Sequence, residues 1–401
     1  MLPRNQFKIA LYFFAAIALL GLVLRLIPLV SLGITYSYIL HAHSHTAFLG
    51  WLHGAFIALV SFIFLKDKLQ TLQFKILYWF TIFNVAGIYI SFIIQGYKLF
   101  SILFLSLFLV ATYWFLIYFF KNKSGIETYP ATFRFVRAGL WLQFLSSLSP
   151  WSLGAVIKLL GKKSDFYKFD IFYYLHFQYN GWFLFATIGL TLYLLERRHI
   201  TLPVSKVNWL YRFMLIAVFL GYFSNTLWAN PGWFFNLLAL TGAMAEIAAF
   251  FVLLLILKRY YRYLRHTITE FSYRILTFVL IMFMTKTVLQ FMVSFPYYAA
   301  LTYKIRDFVI GYLHLIMLGI FSPFLLVLAY ELQFIKLKKM FFKTFFTGFL
   351  LTETVIFLRA VLLWFGFDFN MELVNRILFI FTLLLATGIW LIVFSKHNKD
   401  A

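Results

Sequence analysis

The chain has 401 residues, of which 63% are hydrophobic and only 12% charged, and its formal net charge is +22. Soluble domains carry about 25% charged residues, so this composition excludes a soluble globular protein and indicates a membrane protein. The sequence contains no cysteine, which excludes disulfides, thiolate metal ligands and cysteine nucleophiles.

Runs of about 20 apolar residues, the length needed to cross a bilayer, occur twelve times. The connections between them are too short for a soluble domain, so we expect an all-α integral membrane protein with one membrane domain, residues 1–401. The predicted spans are approximately 8–30, 41–65, 74–95, 99–120, 133–157, 169–195, 209–229, 232–257, 273–295, 307–332, 344–365 and 373–395.

The distribution of Lys and Arg predicts how the spans are oriented. With the N-terminus inside, 24 of the 35 Lys and Arg residues fall in cytoplasmic segments and eight in outer segments. Cytoplasmic loops of membrane proteins carry an excess of positive charge. Both termini are therefore expected in the cytoplasm. The net charge then reflects contact with membrane lipid rather than with nucleic acid.

A histidine followed five residues later by glycine occurs in the second, sixth and tenth predicted spans. These histidines are His45, His176 and His314, which are 131 and 138 residues apart. All three lie in the first third of a span that starts at the outer surface. The near-constant interval predicts three pseudo-repeats of four helices, covering approximately residues 1–130, 131–268 and 269–401.

This arrangement resembles the catalytic subunit (subunit I) of haem-copper oxidases, which has twelve helices in three arcs of four. The stretch His43-Ser-His45-Thr-Ala-Phe-Leu-Gly-Trp is similar to the His-x-His-x-x-x-Leu-Gly-Trp motif of cbb-type oxidases, although there it lies on helix 10. The sequence also resembles NnrS-type haem and copper membrane proteins, which carry a comparable His-Ala-His stretch.

The resemblance implies a haem with axial ligands on the second and tenth helices, here His45 and His314. In the resembled proteins the sixth and seventh helices bind copper, which would make His176 a ligand of a metal or of a second haem. The seventh span, however, contains Asn225 and no histidine. A standard copper site, which needs about three imidazoles here, is therefore not expected.

Further residues near the outer surface are candidates for the same site. His41 and His45 are four residues apart and share a helix face, whereas His43 points elsewhere. We interpret His41 and His43 as copper or zinc ligands or as hydrogen-bond donors to a haem propionate. Arg25 either contacts a propionate or extends to the membrane surface.

A plainer interpretation is that intramembrane polar residues join helices by hydrogen bonds. We expect a packing or hydrogen-bonding role for His53, which lies off the face of His45. Glu246 and Lys286 each fall within a span and must find partners or water, and they could begin a proton path.

Three functional hypotheses follow. The first is a divergent haem-copper-oxidase-like protein, in respiratory electron transfer or in handling nitric oxide or dioxygen, with a cytochrome or quinol as electron donor and an accessory subunit as a further partner. The second is an NnrS-like haem or copper protein of nitrosative or metal stress, without catalysis. The third is a proton- or metal-coupled transporter on the same scaffold. The sequence does not decide whether the chain is an enzyme; if it is one, we expect an oxidoreductase. We expect the protein in the inner membrane of a bacterium, with the histidines towards the outer side.

Overall fold

A computed structural model describes residues 2–394, and these residues form an all-helical protein without β-strands. Within this part of the chain there are twelve long helical stretches, labelled α1 to α12 in chain order. They are Pro3–Leu26, Tyr36–Phe64, Leu72–Gln95, Leu99–Asn122, Pro130–Leu160, 165–196, Val204–Ala229, Trp233–Arg259, Glu270–Val293, Arg306–Glu331, Lys339–Phe365 and Met371–Phe394.

Eleven of the twelve stretches are long and apolar enough to cross a membrane. The exception is α6, whose middle carries polar residues such as Gln178 and Asn180. The predicted all-α, multi-pass membrane class is thus confirmed for the described residues. The twelfth crossing and the cytoplasmic termini stay predictions, and residues 395–401 lie outside the described part.

Each of the three repeated histidines stands just before a π-helical segment inside its long helix. The segments are Ala47–Leu52 in α2, Phe177–Phe183 in α6 and Leu315–Phe321 in α10. Each ends with a backbone N–H that bonds to the carbonyl five residues back: His53 to Phe48, Leu184 to Tyr179, and Ser322 to Met317. Wide turns of this kind are rare and often mark functional sites. The repeated histidine–glycine spacing is therefore accompanied by the same backbone conformation in all three helices.

Within the described residues, 2–124 and 325–394 form one compact unit, and 125–324 form the other. This division does not follow the three predicted pseudo-repeats, which stay a prediction. In the first unit, α1 packs on α2 and α12, while α3 with α4 and α11 with α12 form hairpins. Its core includes Trp51, a fully buried side chain whose ring stacks on Phe14 at a centroid distance of 4.5 Å.

In the second unit, α5 packs along α6, α7 and α8 form a hairpin, and α9 packs against α8 and α10. The first turn of α5 has no side-chain cap of its own. Instead Glu196, at the end of α6, accepts hydrogen bonds from the backbone N–H groups of Ala131 and Thr132 at 2.9 and 3.0 Å, and from the Thr132 hydroxyl at 2.6 Å. A buried carboxylate thus caps the positive end of α5.

Two hairpins depend on glycine for close contact between their helices. In α7–α8, a methyl group added at Gly242 would overlap the backbone at Gly221. In α11–α12, a methyl group at Gly348 would overlap the backbone of Leu385, and one at Gly388 that of Phe345. Small residues let helices approach closely in membranes, where burial of apolar surface does not drive helices together.

Candidate functional site

His41 and His45 lie on one face of α2, as their spacing predicts. The helix has already begun at Tyr36, so the i, i+4 rule applies to both histidines. Their ring centroids are 6.3 Å apart, and both side chains are partly exposed. His43 points to a different neighbour.

The turn between α3 and α4 brings Tyr97 onto this face of α2. Gly96 follows the last residue of α3 and has a φ of +63°. A side chain added there would also overlap the ring of Tyr38 on α2. The Ser101 hydroxyl donates to the Gly96 carbonyl at 2.6 Å and accepts from the Lys98 N–H at 2.9 Å. These bonds fix the turn, and with it the position of Tyr97.

Four aromatic rings form the resulting cluster, which we call the histidine–tyrosine cluster: His41, His45, Phe92 and Tyr97. The Tyr97 hydroxyl is 2.6 Å from His45 Nε2. The His45 ring stacks on Phe92 at 4.8 Å, and the Tyr97 ring meets His41 edge-on at 4.6 Å. Because Tyr97 is 51% exposed, the hydroxyl that contacts His45 belongs to a surface side chain.

His43 is directed towards α1 instead. Its Nδ1 donates to the carbonyl of Ile17 at 2.9 Å, and its ring packs against Gly21. The structure therefore brings together His41 and His45 but not His41 and His43. His53 is buried about two turns beyond His45 along α2 and packs edge-to-face with Phe108.

His176 lies in the second unit and is held between α6 and α7. Its Nε2 donates to the Val218 carbonyl at 2.8 Å. Its Nδ1 lies 3.2 Å from the amide nitrogen of Asn180 and 3.3 Å from that of Asn225, and accepts from them. Both ring nitrogens thus bond to protein atoms, and Asn225 occupies the position where the resemblance would place copper ligands.

A buried ion pair in the second unit was not predictable as a pair. Lys286 Nζ on α9 lies 2.6 Å from Glu246 Oε1 on α8, with exposed side-chain fractions of 2% and 7%. The Thr287 hydroxyl also contacts Glu246 Oε1 at 3.3 Å. The sequence indicated only that each charge needs a partner. In the structure, the ammonium group of Lys286 and the carboxylate of Glu246 are the partners of each other.

The polar side chains continue from this pair towards α10 and α6. One turn along α9, Gln290 accepts a hydrogen bond of 2.6 Å from the Tyr312 hydroxyl. The Tyr312 ring meets that of Tyr179 edge-on at 6.1 Å. His314, two residues after Tyr312, is partly exposed at the start of the π segment of α10.

Arg25 has a protein partner within its own unit. It interacts electrostatically with Glu353, a carboxylate buried in α11. Arg359, six residues beyond Glu353, instead contacts the side-chain oxygen of Asn375 at 3.5 Å. Neither of the two expected roles of Arg25, at a propionate or at the membrane surface, included this carboxylate.

Across residues 2–394 no group of three or more His, Cys, Asp or Glu side chains is placed to hold a metal ion. The roles of His41, His43 and His176 as metal ligands stay predictions. The rings of His41 and His45 do both meet that of Tyr97, and the role of His45 as a haem ligand stays a prediction.

The chain was compared with models of known protein families and with curated proteins, and neither comparison found a match. The candidate site therefore rests on the geometry of this chain.

Proposed function

We propose that this chain is a haem-binding membrane protein on a scaffold like that of the haem-copper oxidase catalytic subunit, with His45 as an axial ligand. The observation that carries the proposal is the environment of His45. Its ring is oriented by stacking on Phe92, and within the cluster its Nε2 contacts the hydroxyl of the half-exposed Tyr97. A side-chain rotation of Tyr97 would free this nitrogen without moving the backbone of α2.

The neighbouring residues fit the same role. Haem iron takes axial imidazoles, and a bound haem would supply one-electron chemistry or a binding position for nitric oxide or dioxygen. His41, one turn before His45 and partly exposed, is positioned to hydrogen-bond a propionate or to hold copper. The π segment directly after the histidine supports a built site rather than an ordinary packing residue.

His176 does not fit a haem or copper ligand, because both of its ring nitrogens are hydrogen-bonded to protein atoms. The proposal therefore includes neither a second haem nor a copper ion at that position. His314 as the second axial ligand stays part of the proposal on sequence grounds alone, since it belongs to the other compact unit.

The proposal includes the expectations about setting. The protein would lie in the inner membrane of a bacterium with both termini in the cytoplasm and its histidines towards the outer side. A cytochrome or quinol would donate electrons if the protein turns over. If it does not, the protein is an NnrS-like binder of haem or copper, and an assay of oxygen or nitric oxide consumption separates the two.

An absorption spectrum tests the haem. Protein from haem-sufficient cells, oxidised and then reduced with dithionite, is expected to show a reduced α-band. The band should disappear in His45→Ala and in His314→Ala and persist in His266→Ala, which changes an exposed histidine of the α8–α9 connection. A colourless wild-type protein, or a band that survives in His45→Ala, would reject the proposal.

A second candidate, a proton-coupled transporter, is favoured by one observation, the buried Glu246–Lys286 pair. Buried charges in membrane spans are costly and often belong to proton or ion pathways. Transporters also show internal repeats, although usually in inverted pairs rather than in three groups of four helices.

Proteoliposomes that contain a pH-sensitive dye separate this candidate from the first. If the pair carries protons, the purified protein should acidify or alkalinise the lumen when a substrate gradient is imposed, and Glu246→Gln should abolish the signal while Glu372→Gln, at an exposed pair, retains it. Absence of flux in the wild type across a panel of metal ions and organic solutes would leave Glu246 and Lys286 with a structural role.

A further inference from the structure

The second unit contains a cavity of about 620 Å³, within the range of pockets that hold small ligands. Its walls come from α6, α8 and α9 and from the part of α10 in this unit, and they include the buried side chains of Leu184, Ile188, Leu253, Val279 and Phe283. None of its lining residues belongs to the histidine–tyrosine cluster or to the ion pair, so its function is a separate question.

The walls present hydrocarbon even where the sequence has hydroxyl groups. Three threonines line the cavity: Thr187, Thr191 and Thr277. Each hydroxyl donates to a carbonyl of its own helix, at 2.8, 2.8 and 3.0 Å. The hydroxyl hydrogens are therefore already bonded within the protein. A polar solute would find few partners along these walls, whereas a hydrocarbon chain would fit them.

The dimensions of the cavity indicate what kind of hydrocarbon it holds. The lining residues on α9 run from Tyr273 to Phe283, and those on α6 from Leu184 to Leu194. At about 1.5 Å per residue, each run is roughly 15 Å long. This length is about half of the hydrocarbon thickness of a bilayer, which is the depth of one leaflet. An acyl chain of one leaflet has that length.

One end of the cavity is basic. Lys258 and Tyr261 line it, and Arg265 donates to the Tyr261 hydroxyl at 3.1 Å. Arg259, the last residue of α8, and Arg262, in the α8–α9 connection, are both exposed. The charge distribution along the chain assigns this connection to the cytoplasm, where anionic lipids attract basic segments.

We propose that this cavity binds one acyl chain of an anionic phospholipid of the cytoplasmic leaflet, with the lipid phosphate held by Lys258 and Arg265. The occupant is a membrane lipid rather than a soluble anion because the basic groups stand at the end of a leaflet-long apolar cavity. This site is independent of the haem proposal.

Native mass spectrometry of the full chain, purified in detergent and incubated with dioleoyl phosphatidylglycerol or dioleoyl phosphatidylcholine, tests this site. We expect one retained phosphatidylglycerol and weaker retention of phosphatidylcholine. Lys258→Ala with Arg265→Ala should remove that preference, whereas Lys339→Ala, at an exposed lysine beginning α11, should retain it.

A second variant tests the chain-binding part of the cavity. Thr277→Trp fills the cavity from an exposed position and should abolish retention, whereas Leu237→Trp, on the exposed face of α8, should not. Thermal midpoints of all variants establish that they are folded. Equal retention of the two lipids by the wild type, or retention unchanged in Thr277→Trp, would overturn the proposal, as would equal losses in Lys339→Ala and the double variant.

Discussion

Removing one charge of the buried Glu246–Lys286 pair should destabilise the protein far more than removing one charge of an exposed pair. The chain offers a matched control: Arg376 and Glu372 in α12 are also 2.6 Å apart, but their side chains are 65% and 67% exposed. The two pairs therefore share their N···O distance and differ in burial.

The magnitudes follow from that difference. Lys286→Met leaves a buried carboxylate without its cation, and the loss of one partner of a buried pair costs roughly 3–5 kcal/mol. Glu372→Gln removes an exposed i, i+4 pair, worth about 0.3–0.5 kcal/mol. In Glu246→Leu/Lys286→Met neither charge remains, so much of the lost stability should return.

These free energies can be measured by unfolding the protein with sodium dodecyl sulfate in mild detergent. Tryptophan fluorescence reports the folded fraction. The double variant closes a thermodynamic cycle, in which a strong coupling energy is expected because the two residues are in direct contact. The reasoning from burial is wrong if Lys286→Met lowers the unfolding free energy no more than Glu372→Gln does. It is also wrong if the loss in the double variant equals the sum of the losses in Glu246→Leu and Lys286→Met.

Three further predictions test other parts of the structure. Tyr97→Phe removes the hydroxyl that contacts His45 but no ligand, so the haem band should persist and the unfolding free energy should fall by about 1 kcal/mol or less; loss of the band would make the tyrosine part of the ligand set. Glu196→Gln removes a charge-assisted cap of α5 and should cost about 2 kcal/mol in the same unfolding assay; a cost near zero would contradict the cap. Gly348→Ala should destabilise the α11–α12 hairpin by about 1–3 kcal/mol, whereas Gly154→Ala, which meets nothing within 4 Å, should be neutral or stabilising; equal effects would contradict the close contact.

The sequence predicted the helices well because length and apolarity determine them. It placed the start of the second span at residue 41, whereas α2 begins at Tyr36. The missed turn carries Tyr36 and Tyr38, aromatic residues that also occur at membrane surfaces without being helical. The shared face of His41 and His45 was predicted correctly, since it needs only the helical period.

The π segments could not be predicted from the pattern of apolar residues. All of Phe177–Phe183 is buried, and so is Phe48–Leu52. A segment buried on every side shows no polar stripe whose period could distinguish a wide turn from an α-helical one.

Contacts between distant residues were also beyond the sequence. Glu246 and Lys286 were recognised as charges in need of partners, but they lie 40 residues apart on different helices. Tyr97 gave no signal of its own, because a tyrosine next to a span end is typical of any membrane surface. Only the folded turn after Gly96 places it against His45.

The wide turn of α2 determines the rotational phase of the residues before it. A π segment accommodates one residue more than the α-helix around it, and each α-helical residue advances the helix by about 100°. Deleting one residue within Ala47–Leu52 would restore the α-helix and turn the part that carries His41 and His45 by about that angle relative to the rest of α2. The face these histidines present is therefore set by a single extra residue, and the same holds for His176 in α6 and His314 in α10.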